Sequence, residues 1–116
     1  MVAAARAVEK SGGLLHVKKG QFLAPWDCQN ILSKIKEAAP SRDFTILCER
    51  GVSFGYNNLV VDMLGIQEMR KLGAPVSIDA THAVQLPGAG KGEGGSNTAT
   101  GGRREGVETL ALAAVA

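Results

Sequence analysis

The 116-residue chain has few aromatic residues, only two cysteines and no long apolar run. Aromatic residues make up 4% of the chain and the formal net charge is +2, a composition that does not indicate nucleic-acid binding. No apolar stretch approaches the ~20 residues that cross a bilayer, so no membrane partner is expected. The first residues lack the charged and then apolar order of a signal peptide, which favours a cytoplasmic protein.

The two cysteines also stand apart from any recognisable site. Cys28 falls in a predicted helix and Cys48 in a predicted strand, with no CxxC motif and no histidine-rich neighbourhood. Because a free cysteine is most often a small buried side chain, we expect both to be reduced and structural. Hydrophobic residues make up 45% of the chain, which is enough to form a globular core.

Three reactive side chains recur at a single interval. Lys18, Arg50 and His82 are each 32 residues apart, and each stands at or just past the end of a short apolar run. A barrel of eight strand-helix units in ~250 residues allots ~31 residues to each unit. The interval therefore predicts successive βα units whose parallel strands bring the three side chains to one carboxyl end. Two cations and an imidazole there indicate an anionic substrate, a phosphate or a carboxylate.

The local patterns predict the element order αβαβαβα. Four helices are expected: one over 2–11, one that begins after Asp27 as a possible N-cap, one over 63–72 and one from Val107 onward. Three strands are expected, over 14–19, 44–49 and 76–80. Residues 50–58 are predicted to form a long connection with positive-φ turns, and residues 81–102 a glycine-rich lid loop. A closed barrel needs about twice this length, so residues 1–116 are predicted to form a single partial α/β barrel domain.

Four motifs follow one another along the chain: Lys18-Lys19-Gly20-Gln21-Phe22, Cys48-Glu49-Arg50-Gly51 with Phe54 to Val60, Asp79 to Gln85, and Gly101-Gly102-Arg103-Arg104. Together, across essentially all 116 residues, they resemble the 3-deoxy-D-manno-octulosonate 8-phosphate synthase family. The resemblance implies the fifth to seventh βα units of a TIM barrel, an internal to C-terminal-half fragment. It also implies a transferase that condenses phosphoenolpyruvate with D-arabinose 5-phosphate and water, releasing phosphate, in lipopolysaccharide biosynthesis.

The same resemblance implies roles for individual residues. Lys18 matches a lysine that binds phosphoenolpyruvate, and Arg50 matches an arginine that grips its phosphate or carboxylate. His82 matches a histidine that contacts phosphoenolpyruvate in metal-free members and binds the metal in metal-dependent ones, so a divalent metal is the one cofactor implied. Gln85 matches a substrate-binding polar residue at the same mouth. The family further implies that the full-length protein is a homo-oligomer, a tetramer.

Several alternatives remain open. His16 is expected to face the barrel interior rather than to act in catalysis, and Glu49 is either a proton-transfer group or part of a structural ion pair. Gly90, Gly92 and Gly95 satisfy GxGxxG, but the motif begins ten residues after its strand, so a lid is preferred to a nucleotide site. The alternative functions are the related 3-deoxy-heptulosonate phosphate synthase and a non-catalytic truncated fragment. The 116 residues alone are expected to be inactive.

Overall fold

A computed structural model of the chain describes residues 1–41, 43–90 and 99–116. The helices are α1 (Val2–Ser11), α2 (Cys28–Ala38), α3 (Met63–Lys71), α4 (Ala80–Ala83) and α5 (Gly106–Val115), and a 3₁₀ turn over Pro25–Asp27 precedes α2. The strands are β1 (Leu15–Lys18), β2 (Thr45–Glu49), β3 (Val52–Gly55), β4 (Asn58–Val60), β5 (Val76–Ile78), β6 (Gln85–Gly90) and β7 (Ala99–Gly102). None of the described helices is long and apolar enough to cross a membrane.

The centre of the fold is a parallel three-stranded sheet in the order β1-β2-β5. β1 pairs with β2 from Leu15 opposite Thr45 to Lys18 opposite Cys48, and Glu49 of β2 lies opposite Ile78 of β5. The predicted parallel and adjacent strands are therefore confirmed. With helices alternating along the chain, this is α/β architecture compatible with a partial TIM barrel. β5 ends at Ile78 rather than at residue 80, because the next residue caps α4.

Helices α1, α2 and α3 cover one face of this sheet. Ala5 of α1 and Ile35 of α2 form a buried cluster with Phe44, and Leu15 and Val17 of β1 pack against it. A second cluster joins Cys28, Leu47 and Met69. Successive side chains of a strand point to opposite faces, so alternate residues such as His16, Lys18 and Ser77 lie on the other face. There His16 Nε2 lies 2.6 Å from Ser77 Oγ.

Both cysteines are free and buried, as predicted. Cys28 Sγ lies 3.7 Å from Met69 Sδ in the core between α2 and α3. Burial raises the pKa of the Cys28 thiol, with smaller opposing and reinforcing effects from Lys19 and Glu49. The thiol is therefore held in its protonated, unreactive form at neutral pH.

Two segments predicted as loops contain paired strands, and those predictions are corrected here. From residue 52 to residue 60, β3 and β4 form an antiparallel hairpin whose turn residues Tyr56 and Asn57 both have positive φ, 51° and 55°. A two-residue hairpin turn of type I′ requires that conformation at both central positions. Within residues 81–102, α4 ends at Ala83 and β6 then pairs antiparallel with β7. Glycine-rich strands have no side-chain periodicity, so the sequence carried little signal for this pairing.

The remaining part of the predicted lid, residues 91–98, lies outside the described residues. It includes Gly92 and Gly95 of the GxGxxG pattern. The lid function of this segment stays a prediction.

Candidate active site

The predicted site residues meet at the carboxyl end of the parallel sheet. Lys18 is the last residue of β1, Arg50 directly follows β2, and Asp79 directly follows β5. The backbone N–H of Asp79 donates to the Glu49 carbonyl oxygen at 2.8 Å, which places Asp79 level with Arg50 on the neighbouring strand. His82 lies one turn farther along in α4. The structure thus brings Lys18, Arg50 and His82 to one end of the sheet, as the 32-residue interval predicts.

Asp79 joins two of these residues. Its Oδ2 accepts a hydrogen bond from Lys18 Nζ at 2.6 Å and lies 2.7 Å from His82 Nδ1, while its Oδ1 accepts from the His82 backbone N–H at 3.0 Å. Because an ionised carboxylate can only accept, Nδ1 of His82 carries the proton. Lys18 Nζ, 3.5 Å from Nδ1, is then a second donor to the same oxygen rather than a donor to the ring. In the neutral ring Nε2 keeps its lone pair for a substrate or a metal.

These contacts hold Asp79 in its charged form. Burial by itself raises the pKa of the carboxyl group, but the hydrogen bonds from the His82 backbone, Lys18 and the His82 ring outweigh it. The pKa of Asp79 therefore lies well below its usual range. Asp79 is an anion at every pH at which the protein is expected to work, and it anchors one cation and one imidazole.

A second polar pair lies beside this cluster. Arg50 Nη2 donates a hydrogen bond to Gln85 Oε1 at 3.0 Å, and both side chains are partly buried. Gln85 is the first residue of β6, three residues beyond His82. The Gln85 amide oxygen accepts from one of the five N–H groups of the Arg50 guanidinium and so orients the guanidinium plane. The carboxyl end of the sheet thus presents a lysine and an oriented arginine, an arrangement suited to an anion with more than one oxygen.

Known proteins are similar to this chain over almost its whole length. Residues 4–116 match the family model described as the DAHP synthetase I family. The chain belongs to this family. Among its relatives, the 2-dehydro-3-deoxyphosphooctonate aldolase of Agrobacterium fabrum is 58% identical over 110 residues, which are 95% of this chain and 36% of that protein. The protein of the same name from Brucella ovis is 57% identical over 116 residues, which are 100% of this chain and 38% of that protein.

That name denotes the octulosonate 8-phosphate synthase, so the resemblance seen in the four sequence motifs is confirmed. The chain spans little more than a third of the length of these relatives. The DAHP synthetase I family model also covers the related alternative, the heptulosonate phosphate synthase.

A metal centre is not assembled by the described residues of this family member. Among them, no three His, Cys, Asp or Glu side chains are close enough together to hold a metal ion. His82 offers one nitrogen, but its neighbour Asp79 is already bonded to Lys18 and to the His82 ring. The described residues do not by themselves fit a metal. His82 as a metal ligand stays a prediction.

Asp79 and Lys19 lie within the sequence motifs, but the sequence analysis assigned neither of them a role. The sequence could have indicated a role for Asp79, because an Asp that directly follows a strand is a typical N-cap of the helix that begins there, in this case the helix that carries His82. Lys19 lies next to Lys18 but is buried, and its Nζ is 3.6 Å from Glu49 Oε1. Of the two alternatives for Glu49, the structure therefore contains the ion pair.

Proposed function

We propose that this chain is a segment of an enzyme that condenses phosphoenolpyruvate with D-arabinose 5-phosphate and water, giving 3-deoxy-D-manno-octulosonate 8-phosphate and phosphate. The observation that carries the proposal is the joint placement of Lys18, Arg50 and His82 at the carboxyl end of the sheet. The relatives of high identity bear the name of this activity. In barrels of this class, catalytic groups come from the ends of several strands.

The proposed chemistry uses charge and position. Water and the sugar aldehyde add across the enol double bond of phosphoenolpyruvate, and the resulting intermediate loses phosphate. Arg50, oriented by Gln85, would grip the phosphate or carboxylate through parallel N–H bonds, and Lys18 would neutralise a second oxygen. His82 would contact the same substrate through Nε2. Holding both anions in place and stabilising developing charge would lower the barrier.

A direct assay on the full-length protein tests this function. Phosphate release is measured with phosphoenolpyruvate and either arabinose 5-phosphate or an aldose phosphate one carbon shorter, which the heptulosonate synthase would require. We expect turnover with the five-carbon sugar and little with the shorter one. The reverse preference would support the heptulosonate alternative, and no turnover with either sugar would refute both. Mass spectrometry of the intact natural product tests the alternative of a truncated, non-catalytic fragment.

Metal use and assembly are proposed on the family resemblance alone. If His82 binds a divalent metal, chelator abolishes activity of the full-length enzyme and added metal restores it; if His82 contacts substrate directly, chelator leaves activity unchanged. We also propose a cytoplasmic homo-oligomer, a tetramer. Light scattering of the purified full-length protein tests the oligomeric state, and cell fractionation tests the location.

A further inference from the structure

The two consecutive lysines of β1 and the loop after it have opposite surroundings. The Lys18 side chain is 48% exposed at the candidate active site, whereas the Lys19 side chain is 1% exposed. Successive residues of an extended chain point to opposite faces, so Lys19 is directed toward the helix-covered side. There its Nζ donates to the carbonyl oxygens of Gly20 at 3.3 Å and Leu23 at 3.2 Å. Burying a charged lysine costs desolvation free energy, so its position at the edge of the active site needs an explanation.

Its charge partner is Glu49, whose side chain is 2% exposed and whose Oε1 lies 3.6 Å from Lys19 Nζ. The same oxygen accepts hydrogen bonds from the backbone N–H groups of Arg50 at 2.9 Å and Gly51 at 2.6 Å. Gly51 has φ of +84°, and a Cβ at this position would meet Leu59 Cβ at 3.3 Å. The turn that carries Arg50 is therefore tight, and one carboxylate oxygen holds both of its first N–H groups.

The pair connects two loops at the mouth of the sheet. Through Lys19 it holds the loop after β1, and through Glu49 it holds the turn after β2. A buried ion pair contributes little net stability, because the desolvation of two charges offsets their attraction. The pair does fix the relative position of the two loops, because removing one partner leaves a buried charge that must move to reach a new partner or solvent. We propose that the Lys19–Glu49 pair is a positioning device that sets the location of Arg50 for anion binding.

This inference deepens the proposed function and rests on it. Arg50 is anchored at two points, its backbone N–H on Glu49 and its guanidinium on Gln85. If the first anchor is weakened, the whole residue shifts relative to Lys18 across the site. A misplacement of about 1 Å can cost ~10²-fold in rate. The effect should appear in the use of phosphoenolpyruvate, the substrate that Arg50 is proposed to grip.

The test is Glu49→Gln in the full-length protein, with separate KM values for the two substrates. Gln keeps an oxygen acceptor but loses the charge facing Lys19. We expect KM for phosphoenolpyruvate to rise ~10-fold or more, with KM for arabinose 5-phosphate changing less than ~2-fold. The matched control is Leu47→Val, a buried change on the same face of β2. It should lower the unfolding temperature and leave both KM values within ~2-fold of wild type.

Three outcomes separate the possibilities. If Glu49→Gln leaves KM for phosphoenolpyruvate within ~2-fold, or if Leu47→Val raises it equally, the pair has only a structural role and the inference is refuted. A wild-type protein that does not turn over the two substrates refutes the proposed function instead. If Glu49→Gln fails to fold, the double variant K19M/E49Q leaves no unpaired buried charge but still removes the contact that joins the two loops, so the same rise in KM for phosphoenolpyruvate is expected.

Discussion

Replacing Asp79 with Asn tests how the candidate site is organised. The change keeps the size of the side chain but replaces one acceptor oxygen with an NH₂ donor. Asp79 Oδ2 accepts from two donors, Lys18 Nζ and His82 Nδ1, and Oδ1 accepts from the His82 backbone N–H. The amide of Asn has a single acceptor oxygen, so it cannot accept from all three donors. Lys18 and His82 are themselves unchanged in this variant, but both lose the anchor that holds them in the site.

The expected loss of stability in Asp79→Asn depends on how exposed the Lys18 side chain is. The Lys18 side chain is 48% exposed, so solvent screening limits its ion pair to ~0.2–1 kcal/mol. The bond from the His82 ring contributes ~1 kcal/mol. We therefore expect the free energy of unfolding to fall by about 1–2 kcal/mol. Because two reactive groups are released together, kcat/KM should fall ~10- to 100-fold, which is more than the stability change alone would cause.

The assay combines steady-state kinetics with chemical denaturation of the full-length protein. Asp62→Asn is the matched control, because Asp62 caps α3 by accepting from the Leu64 N–H at 3.0 Å and Asn caps about as well. The control should change stability by less than ~0.5 kcal/mol and leave kinetics unaltered. If Asp79→Asn keeps kcat/KM within a factor of two of wild type, Asp79 does not organise the site.

The pH dependence provides a second check on the same variant. The contacts of Asp79 lower its pKa in the folded state, whereas in the unfolded chain an Asp titrates near ~3.9. Its stabilisation is therefore fully present above ~pH 3.9 and is lost as the pH falls toward the lower, folded-state value. The stability difference between wild type and Asp79→Asn should be largest at neutral pH and smaller near ~pH 3. A difference that grows on acidification would contradict the assigned contacts.

Three further predictions concern other parts of the molecule. Arg50→Lys keeps the charge but loses the planar fork and the bond to Gln85, so kcat/KM should fall ~10- to 100-fold; a change within a factor of two would rule out Arg50 as the anion clamp. Buried Cys28 should be alkylated by iodoacetamide only after denaturation, as followed by peptide mass spectrometry, and rapid labelling of native protein would contradict its burial. Residues 1–116 alone should aggregate, because β1 and β5 each have an unpaired edge in the described sheet and Phe22 is 91% exposed. The radius of gyration is also large, 16.1 Å against about 13 Å for a compact chain of this length. A monomer in analytical ultracentrifugation that unfolds in one cooperative transition would contradict this prediction.

Much of the fold could be predicted from the sequence because its signals are local. Apolar runs located the three parallel strands to within two residues at each end, and Gly12, with φ of 76°, ends α1 where the pattern indicated. The 32-residue interval then placed Lys18, Arg50 and His82 at one end, since parallel strands joined by helices necessarily align their carboxyl ends. The motifs around these residues were sufficient to identify the family.

The contacts that organise the site were decided by the tertiary structure. Lys18 and Asp79 are 61 residues apart, and no local pattern pairs a lysine with one carboxylate rather than another. Lys18 and Lys19 are chemically identical neighbours, but the sheet directs one to solvent and buries the other against Glu49. The hairpins of β3 with β4 and of β6 with β7 likewise depend on backbone pairing. The strands β3 and β4 are only four and three residues long, and the strands β6 and β7 are glycine-rich, so their side chains give little pattern from which to predict the pairing. The sequence by itself therefore determined the three parallel strands, their direction and the reactive residues, whereas only the packed sheet decided which charges meet, because partner choice depends on face and distance in space.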